Sequence, residues 1–270
     1  MTKLLGVMGD PIAHSLSPLI HNGWIRELGY NATYEAMHVR ADDFPSALST
    51  LATRDVLGVN VTLPHKTTAL EVASVASKAA QKIGAANTLT YRGSAEWTAE
   101  NTDAPGFLKA LGPINPLTEH VVILGAGGSA RAILYALVNR GVRVTLLNRT
   151  VSKAEALAVT LGDRKTAYGD INSYTEYLDS ATIVINTTSM GYSGDILSLP
   201  VGGSRRFFDI SYGKISARQL DHAKLQGWET QDGLSMLVAQ AAFSFEIWFG
   251  EVPDIETGLA RCRRAMEAIG

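Results

Sequence analysis

The sharpest chemical signal in this sequence is Val121-Val122-Ile123-Leu124-Gly125-Ala126-Gly127-Gly128-Ser129-Ala130, an apolar strand that passes through a glycine turn into an alanine-rich helix. The pattern is G-x-G-x-x-A. Gly125 permits the tight turn, Gly127 lets the backbone approach a pyrophosphate, and small Ala130 allows close helix-to-strand packing. The free N–H groups at the start of the helix and the helix dipole face the anion, so Gly125, Ala126, Gly127, Gly128 and Ser129 are the candidate cofactor turn. At the end of the following strand an NAD enzyme usually carries Asp or Glu for the adenosine ribose 2′-hydroxyl. This chain has Asn148-Arg149-Thr150 there. Arg149 can pair with a 2′-phosphate and stack beside adenine, Asn148 and Thr150 add neutral hydrogen bonds, and Lys153 adds positive charge one turn on. NADP is therefore expected over NAD.

A second set of polar groups lies ahead of this turn, where strands are expected to end. It comprises Ser15-Leu16-Ser17-Pro18, Asn60-Val61-Thr62-Leu63-Pro64-His65-Lys66, Gly84-Ala85-Ala86-Asn87-Thr88 and Glu100-Asn101-Thr102-Asp103, with Gly233-Leu234-Ser235-Met236-Leu237-Val238-Ala239-Gln240 much later. Singly, each has a structural explanation: Ser17 before Pro18 suits a helix cap, Asn60 and Thr62 can satisfy turn backbone, and Asp103 can cap its own helix. His14 and His21 flank the serine motif, but no carboxylate stands at a spacing that would orient either, so both read as structural.

The elements that must carry these groups alternate from end to end. Strands are expected at Leu4 to Met8, Thr33 to Val39 and Gly58 to Thr62, with helices from Pro18 to Leu28 and Asp43 to Thr53, and Pro64 in the first turn of another. Asn87 to Tyr91 and Trp97 to Asn101, separated by Arg92 to Glu96 with Gly93 inside, predict a hairpin at a sheet edge. A helix from Asp103 to Leu111 precedes a proline-bearing linker, Gly112 to Thr118. Then come strands at Val121 to Leu124, Val142 to Leu147, Thr182 to Asn186 and Phe207 to Ile210, with helices at Ser129 to Arg140 and Ser152 to Leu161. Apolar helices near Leu234 to Phe249 and Ile255 to Ile269 close the chain. The fold class is α/β with two domains.

Composition agrees with that division. At 270 residues and 46% apolar, the chain exceeds the size at which one core usually divides. Its 24 Lys plus Arg nearly balance 26 Asp plus Glu, so no basic face for nucleic acid is expected and a small-molecule partner is. The single cysteine, Cys262, excludes an internal disulfide and a thiolate zinc cluster, and fits a reducing cytoplasm. Lys3 to Met8 is too short for a signal-peptide core and polar residues break Met236 to Gly250, so neither export nor membrane insertion is expected.

Together and in this order, the five polar stretches and the nucleotide turn resemble the shikimate dehydrogenase family over essentially the whole chain. The resemblance implies an N-terminal α/β substrate domain with a mixed sheet, 1–104 plus 239–270, a Rossmann-type NADP domain, 105–238, a last helix returning to the first domain, and an active site in the cleft between them. It implies that Ser15 and Ser17 hold the substrate carboxylate with Tyr212 closing over it. Asn60, Thr62, Asn87, Asp103 and Gln240 would bind ring hydroxyls or orient the groups that do, and Lys66 and Asp103 would be the catalytic pair. Ile210 and Gly233 join the cofactor residues. Departures are Ala86, where the family commonly has valine, His65 at a variable place, and Ile210, where some members have Met.

The implied reaction is NADP-dependent interconversion of 3-dehydroshikimate and shikimate, in aromatic amino-acid biosynthesis. Lys66 suits proton movement in both directions, but its ordinary pKa of about 10.4 is high for a general base, desolvation would lower it, and Asp103 would raise it. The residues alone leave open which of the pair moves the proton, and no metal is expected. The alternatives are a quinate/shikimate dehydrogenase with relaxed substrate or cofactor choice and a non-catalytic metabolite or cofactor sensor. On any of these readings the protein is expected to be a monomer or homodimer.

Overall fold

Leu4 to Met8 and Val121 to Leu124 are apolar without alternation, as strands covered on both faces must be, and both runs are buried inside sheets. The computed structural model describes residues 2–269. Contacts divide the chain into two units, Met1–Lys109 with Leu237–Gly270, and Ala110–Met236.

The first unit runs β1 (Lys3–Gly9), α1 (Ser17–Glu27), β2 (Ala32–His38), α2 (Phe44–Leu51), β3 (Val56–Val61), α3 (Lys66–Val72), β4 (Val75–Ala76), α4 (Lys78–Ile83), β5 (Thr88–Gly93), β6 (Glu96–Glu100) and α5 (Asp103–Leu111). Its six-stranded sheet has the order β2-β1-β3-β5-β6-β4. It is mixed: β1 is parallel to β2 and β3, whereas β5 is antiparallel to β3 and β6.

In the second unit β7 (His120–Leu124), α6 (Gly128–Val138), β8 (Arg143–Asn148), α7 (Val151–Leu161), β9 (Thr166–Asp170), α8 (Tyr174–Leu178), β10 (Ile183–Asn186), α9 (Met190–Ser193), β11 (Arg206–Asp209), α10 (Lys214–Leu225) and β12 (Glu229–Gln231) follow in order. The sheet order is β12-β11-β10-β7-β8-β9, with every pair parallel. Counted from its first strand this is the 3-2-1-4-5-6 order of dinucleotide-binding sheets, whose direction reverses between β7 and β10. The chain ends in α11 (Leu234–Phe249) and α12 (Ile255–Ile269). From Leu237 onward they belong to the first unit, where the Trp24 indole of α1 donates to the Asp254 carbonyl at 2.9 Å.

Four local expectations change. The helix expected from Asp43 opens as a 3₁₀ turn, Ala41–Asp43, before α2. Pro64 precedes α3 rather than entering it, because His65 occupies the N-cap position. The hairpin turns at Ser94 and Ala95, both with positive φ, inside the expected connection 92–96, but strand pairing runs further into it, with Gly93 ending β5 and Glu96 opening β6, and the two-residue β4 covers its outer edge. Ser17 is helical and Leu16 takes the cap position, while the Ser15 hydroxyl accepts from the Ser17 N–H at 3.3 Å.

Candidate functional site

In the first unit five of the candidate side chains form one hydrogen-bonded group. Lys66 opens α3 and its Nζ lies 2.6 Å from Asp103 Oδ2, with side-chain exposures of 15% and 7%. The other oxygen, Asp103 Oδ1, accepts from Asn87 Nδ2 at 3.0 Å. Asn87 Nδ2 also donates to Gln240 Oε1 at 3.1 Å, and the Asn87 carbonyl accepts from Asn60 Nδ2 at the same length. The backbone holds the group as firmly as the side chains do. The Lys66 carbonyl accepts from Ala86 N at 2.8 Å, and the Thr62 N–H donates to Met8 at 2.9 Å. Gln240 reaches this place because α5 and α11 touch at Gly106, where a Cβ would meet the Gln240 backbone and Cβ.

His65 is buried and stacks on Phe44, with Nε2 2.7 Å from the Val39 carbonyl. A carbonyl only accepts, so Nε2 carries the proton. This ties the residue beside Lys66 to the end of β2.

Thr62 is half-buried, with its methyl against Gly9, and its hydroxyl makes no hydrogen bond to the Lys66 group. Ser17 is buried and Ser15 half-buried. Tyr34, on β2, donates from its hydroxyl to Asn60 Oδ1 at 2.7 Å; burial raises its pKa well above the ordinary value, with the Ser17 hydroxyl acting in the opposite direction. Behind it His21 stacks on the Tyr34 ring at 4.2 Å among Trp24, Phe245 and Trp248. Neither His21 nitrogen has a partner at hydrogen-bonding geometry. Burial pushes its pKa down to about 3, although the Asn60 amide opposes the shift. Unlike His21, His14 is exposed.

The second unit gathers the candidate cofactor residues at the carboxyl ends of its strands. Gly125 follows β7 with φ +109°, and a Cβ there would run into the Thr187 hydroxyl beyond β10. Gly127 is the N-cap of α6, makes no side-chain cap bond, and has open space where a Cβ would stand. Gly128 and Ser129 therefore begin a helix whose N–H groups are left to an incoming anion, and Ala130 is fully buried beneath them. Register pairs Leu124 with Leu147, so Asn148, Arg149, Thr150 and Lys153 follow on the neighbouring strand and helix. Asn148 Nδ2 donates to the Thr150 carbonyl at 2.9 Å. Arg149 and Lys153 are exposed, with no ion pair among the described residues. A pyrophosphate fits the turn and a 2′-phosphate fits the cations.

After β11 the segment Ile210 to Tyr212 is shaped from two sides. Asp209 accepts from the Ser211 N–H and from Asn186 Nδ2, both at 2.8 Å; burial raises its pKa while those bonds act the other way. A Cβ on Gly233 would run into the Ile210 carbonyl, and the Gly233 N–H donates to Ser211 at 2.8 Å. Tyr212 is half-buried on this segment.

Sequence reasoning missed Tyr34, Ser244, whose hydroxyl accepts from Asn60 Nδ2 at 2.9 Å, Asn186 and Asp209 as parts of these arrangements. A signal existed for the last pair: each ends a short apolar strand at the carboxyl edge of the sheet, where open α/β sheets bind ligands. Ser244 stands one helical turn beyond Gln240, a spacing that puts two side chains on one face. Among the described residues no cluster of three His, Cys, Asp or Glu could hold a metal ion, and no helix is long and apolar enough to cross a membrane.

Three family models match the chain. They are the shikimate dehydrogenase substrate binding domain at residues 7–89, shikimate / quinate 5-dehydrogenase at 111–193, and the shikimate 5′-dehydrogenase C-terminal domain at 233–263. The shikimate dehydrogenase (NADP(+)) of Hyphomonas neptunium is 48% identical over 270 residues, covering 99% of both chains. Among solved structures, shikimate dehydrogenase from Aquifex aeolicus superposes with a TM-score of 0.88 at 32% identity, covering 97% of this chain and 98% of that one. The Thermus thermophilus shikimate 5-dehydrogenase, in complex with NADP(H) and shikimate, gives 0.87 at 35% identity over 98% of this chain and 100% of that one.

Proposed function

The chain belongs to the shikimate dehydrogenase family, and from that premise we propose that it is an NADP-dependent oxidoreductase interconverting 3-dehydroshikimate and shikimate in the cytoplasm. The observation that carries the proposal is the part-buried Lys66–Asp103 pair at 2.6 Å, with Asn87 on the second carboxylate oxygen.

Oxidation of a secondary alcohol releases a hydride from carbon and a proton from oxygen, and reduction returns both. When bound, the nicotinamide takes up or supplies the hydride. The chain has to manage the proton and hold the ring. Lys66, the more exposed member of the pair, faces the reacting oxygen, stabilises negative charge that develops on it and passes its proton toward solvent. Asp103 binds the neighbouring hydroxyl and fixes Lys66. Ser15 and Ser17 hold the substrate carboxylate and Tyr212 closes over it, while Thr62 and Gln240 meet ring hydroxyls. Asn60 and Asn87, buried and bonded at both ends of their amides, orient those groups.

Residues 1–104 with 239–270 serve the substrate and 105–238 the cofactor. NADP would be held by Gly125 to Ser129 at its pyrophosphate, by Asn148, Arg149, Thr150 and Lys153 at its 2′-phosphate, and by Ile210 and Gly233 near the nicotinamide. The lack of a carboxylate in Asn148-Arg149-Thr150 favours NADP over NAD.

The test is a spectrophotometric assay of shikimate and quinate, each with NADP⁺ and NAD⁺. Shikimate with NADP⁺ is expected to give the highest kcat/KM. No turnover of shikimate with either cofactor, or preference for quinate, would overturn the assignment.

A further inference from the structure

Three hydroxyls that this reading leaves without a role, those of Thr88, Thr102 and Ser244, lie between the Asn60 and Asn87 carboxamides, and their residues are 0%, 3% and 0% exposed. They meet because of register: Asn60 of β3 stands opposite Thr88 of β5 in an antiparallel pair, which puts both side chains on one face. Thr88 Oγ1 is 3.2 Å from Asn60 Nδ2, 3.1 Å from Asn87 Oδ1 and 2.8 Å from Ser244 Oγ. Ser244 accepts from Asn60 Nδ2 at 2.9 Å and donates to the Gln240 carbonyl at 3.0 Å. Thr102 Oγ1 is 3.1 Å from both Asn87 Oδ1 and Ser244 Oγ.

Obligate donors and acceptors decide which way the amides point. The Thr102 N–H can only donate, so the Asn87 atom 2.7 Å from it is the oxygen, and the nitrogen faces Asp103. The Asn87 carbonyl can only accept, so the Asn60 nitrogen faces it and the Asn60 oxygen faces Tyr34. Thr88 bonds both carboxamides, accepting from Asn60 and donating to Asn87.

We infer that Thr88 is a positioning residue of the reaction: its hydroxyl locks the two carboxamides in these orientations, and Asn87 then holds one oxygen of Asp103 so that the other meets Lys66. The inference rests on the proposed dehydrogenase activity. With a methyl in place of the hydroxyl, Asn87 Oδ1 loses a donor and Asn60 Nδ2 loses an acceptor. The amides can then slide, and the Lys66–Asp103 pair loses its support from behind. The carboxylate-binding serines and the NADP site are untouched.

Thr88→Val removes the hydroxyl at nearly constant volume, and Thr88→Ser keeps it while removing the methyl. In steady-state oxidation of shikimate, Thr88→Val should lower kcat by about tenfold or more with the NADP⁺ KM within about twofold, and Thr88→Ser should stay within about threefold of the parent. A purely structural role would lower the melting temperature and leave kcat unmoved. Parent-level kcat in folded Thr88→Val overturns the inference, as does a Ser variant as slow as the Val one, since that would make the methyl the active part. If Thr88→Val does not fold, Thr102→Val removes the other hydroxyl on Asn87 and is read in the same way. A parent without shikimate turnover would remove the reaction and Thr88's part in it together, whereas an active parent with an unaffected Val variant removes only the latter.

Discussion

His21 sits on α1 with both ring nitrogens unpartnered, and burial takes its pKa from 6.5 to about 3. The unfolded chain accepts a proton on this ring near pH 6.5, whereas the folded chain refuses it until near pH 3. Between those values the unfolded state binds more protons, so stability falls as pH falls. The contribution is fully present above the unfolded value and wholly lost below the folded one. The difference of about 3.5 units at 1.36 kcal/mol each sets a limit of about 5 kcal/mol, of which about 2 kcal/mol is lost between pH 7 and pH 5. That is a large fraction of the stability of most domains. His21→Phe keeps a ring against Tyr34, Trp24, Phe245 and Trp248 and removes the titrating nitrogens, neither of which has a partner at hydrogen-bonding geometry. Urea unfolding of both proteins at pH 7, 6 and 5 should show the parent losing about 2 kcal/mol more than the variant over that range. His120, whose pKa is lowered by burial and then by Arg143, contributes with the same sign in both proteins and cancels in the difference. Parallel pH profiles for parent and variant would refute the reasoning.

Two predictions address the proposed chemistry. Lys66→Ala should lower kcat by about 10² or more while the shikimate Kd changes only a few-fold, because the ammonium acts on charge that develops in the transition state; near-normal kcat in a folded Lys66→Ala protein would move the proton-transfer role elsewhere. Arg149→Ala should weaken NADP⁺ by about ten- to hundredfold and NAD⁺ hardly at all, since only NADP⁺ offers a 2′-phosphate to the guanidinium; equal losses measured by titration calorimetry would remove Arg149 from the 2′-phosphate site.

The strands and helices legible in the sequence are those whose own residues state which faces are buried. β1, β3, β7 and β10 are apolar runs, and all lie inside their sheets. β9 and β12 escaped notice because they are polar edge strands covered on one side only. α10 escaped because the residues it buries are Ser216, Gln219 and Ala223, which make no apolar stripe. The same division runs through the candidate site. Lys66, Asn87 and Asp103 stand at or beside the ends of regular elements, within short motifs, so their proximity to one sheet edge follows from local pattern. Thr88 shares the motif of Asn87 and opens β5, but neither its part nor that of Ser244 declares itself in this way. Thr88 meets Asn60 only in the observed register of β3 and β5, and a slip of one residue would turn its hydroxyl to the opposite face of the sheet. Ser244 is 184 residues from Asn60, and it reaches the site only because α11 packs in the first unit with Gly106 against Gln240. The sequence shows which side chains can act on a substrate, but the hydroxyls that orient them depend on pairings between distant segments.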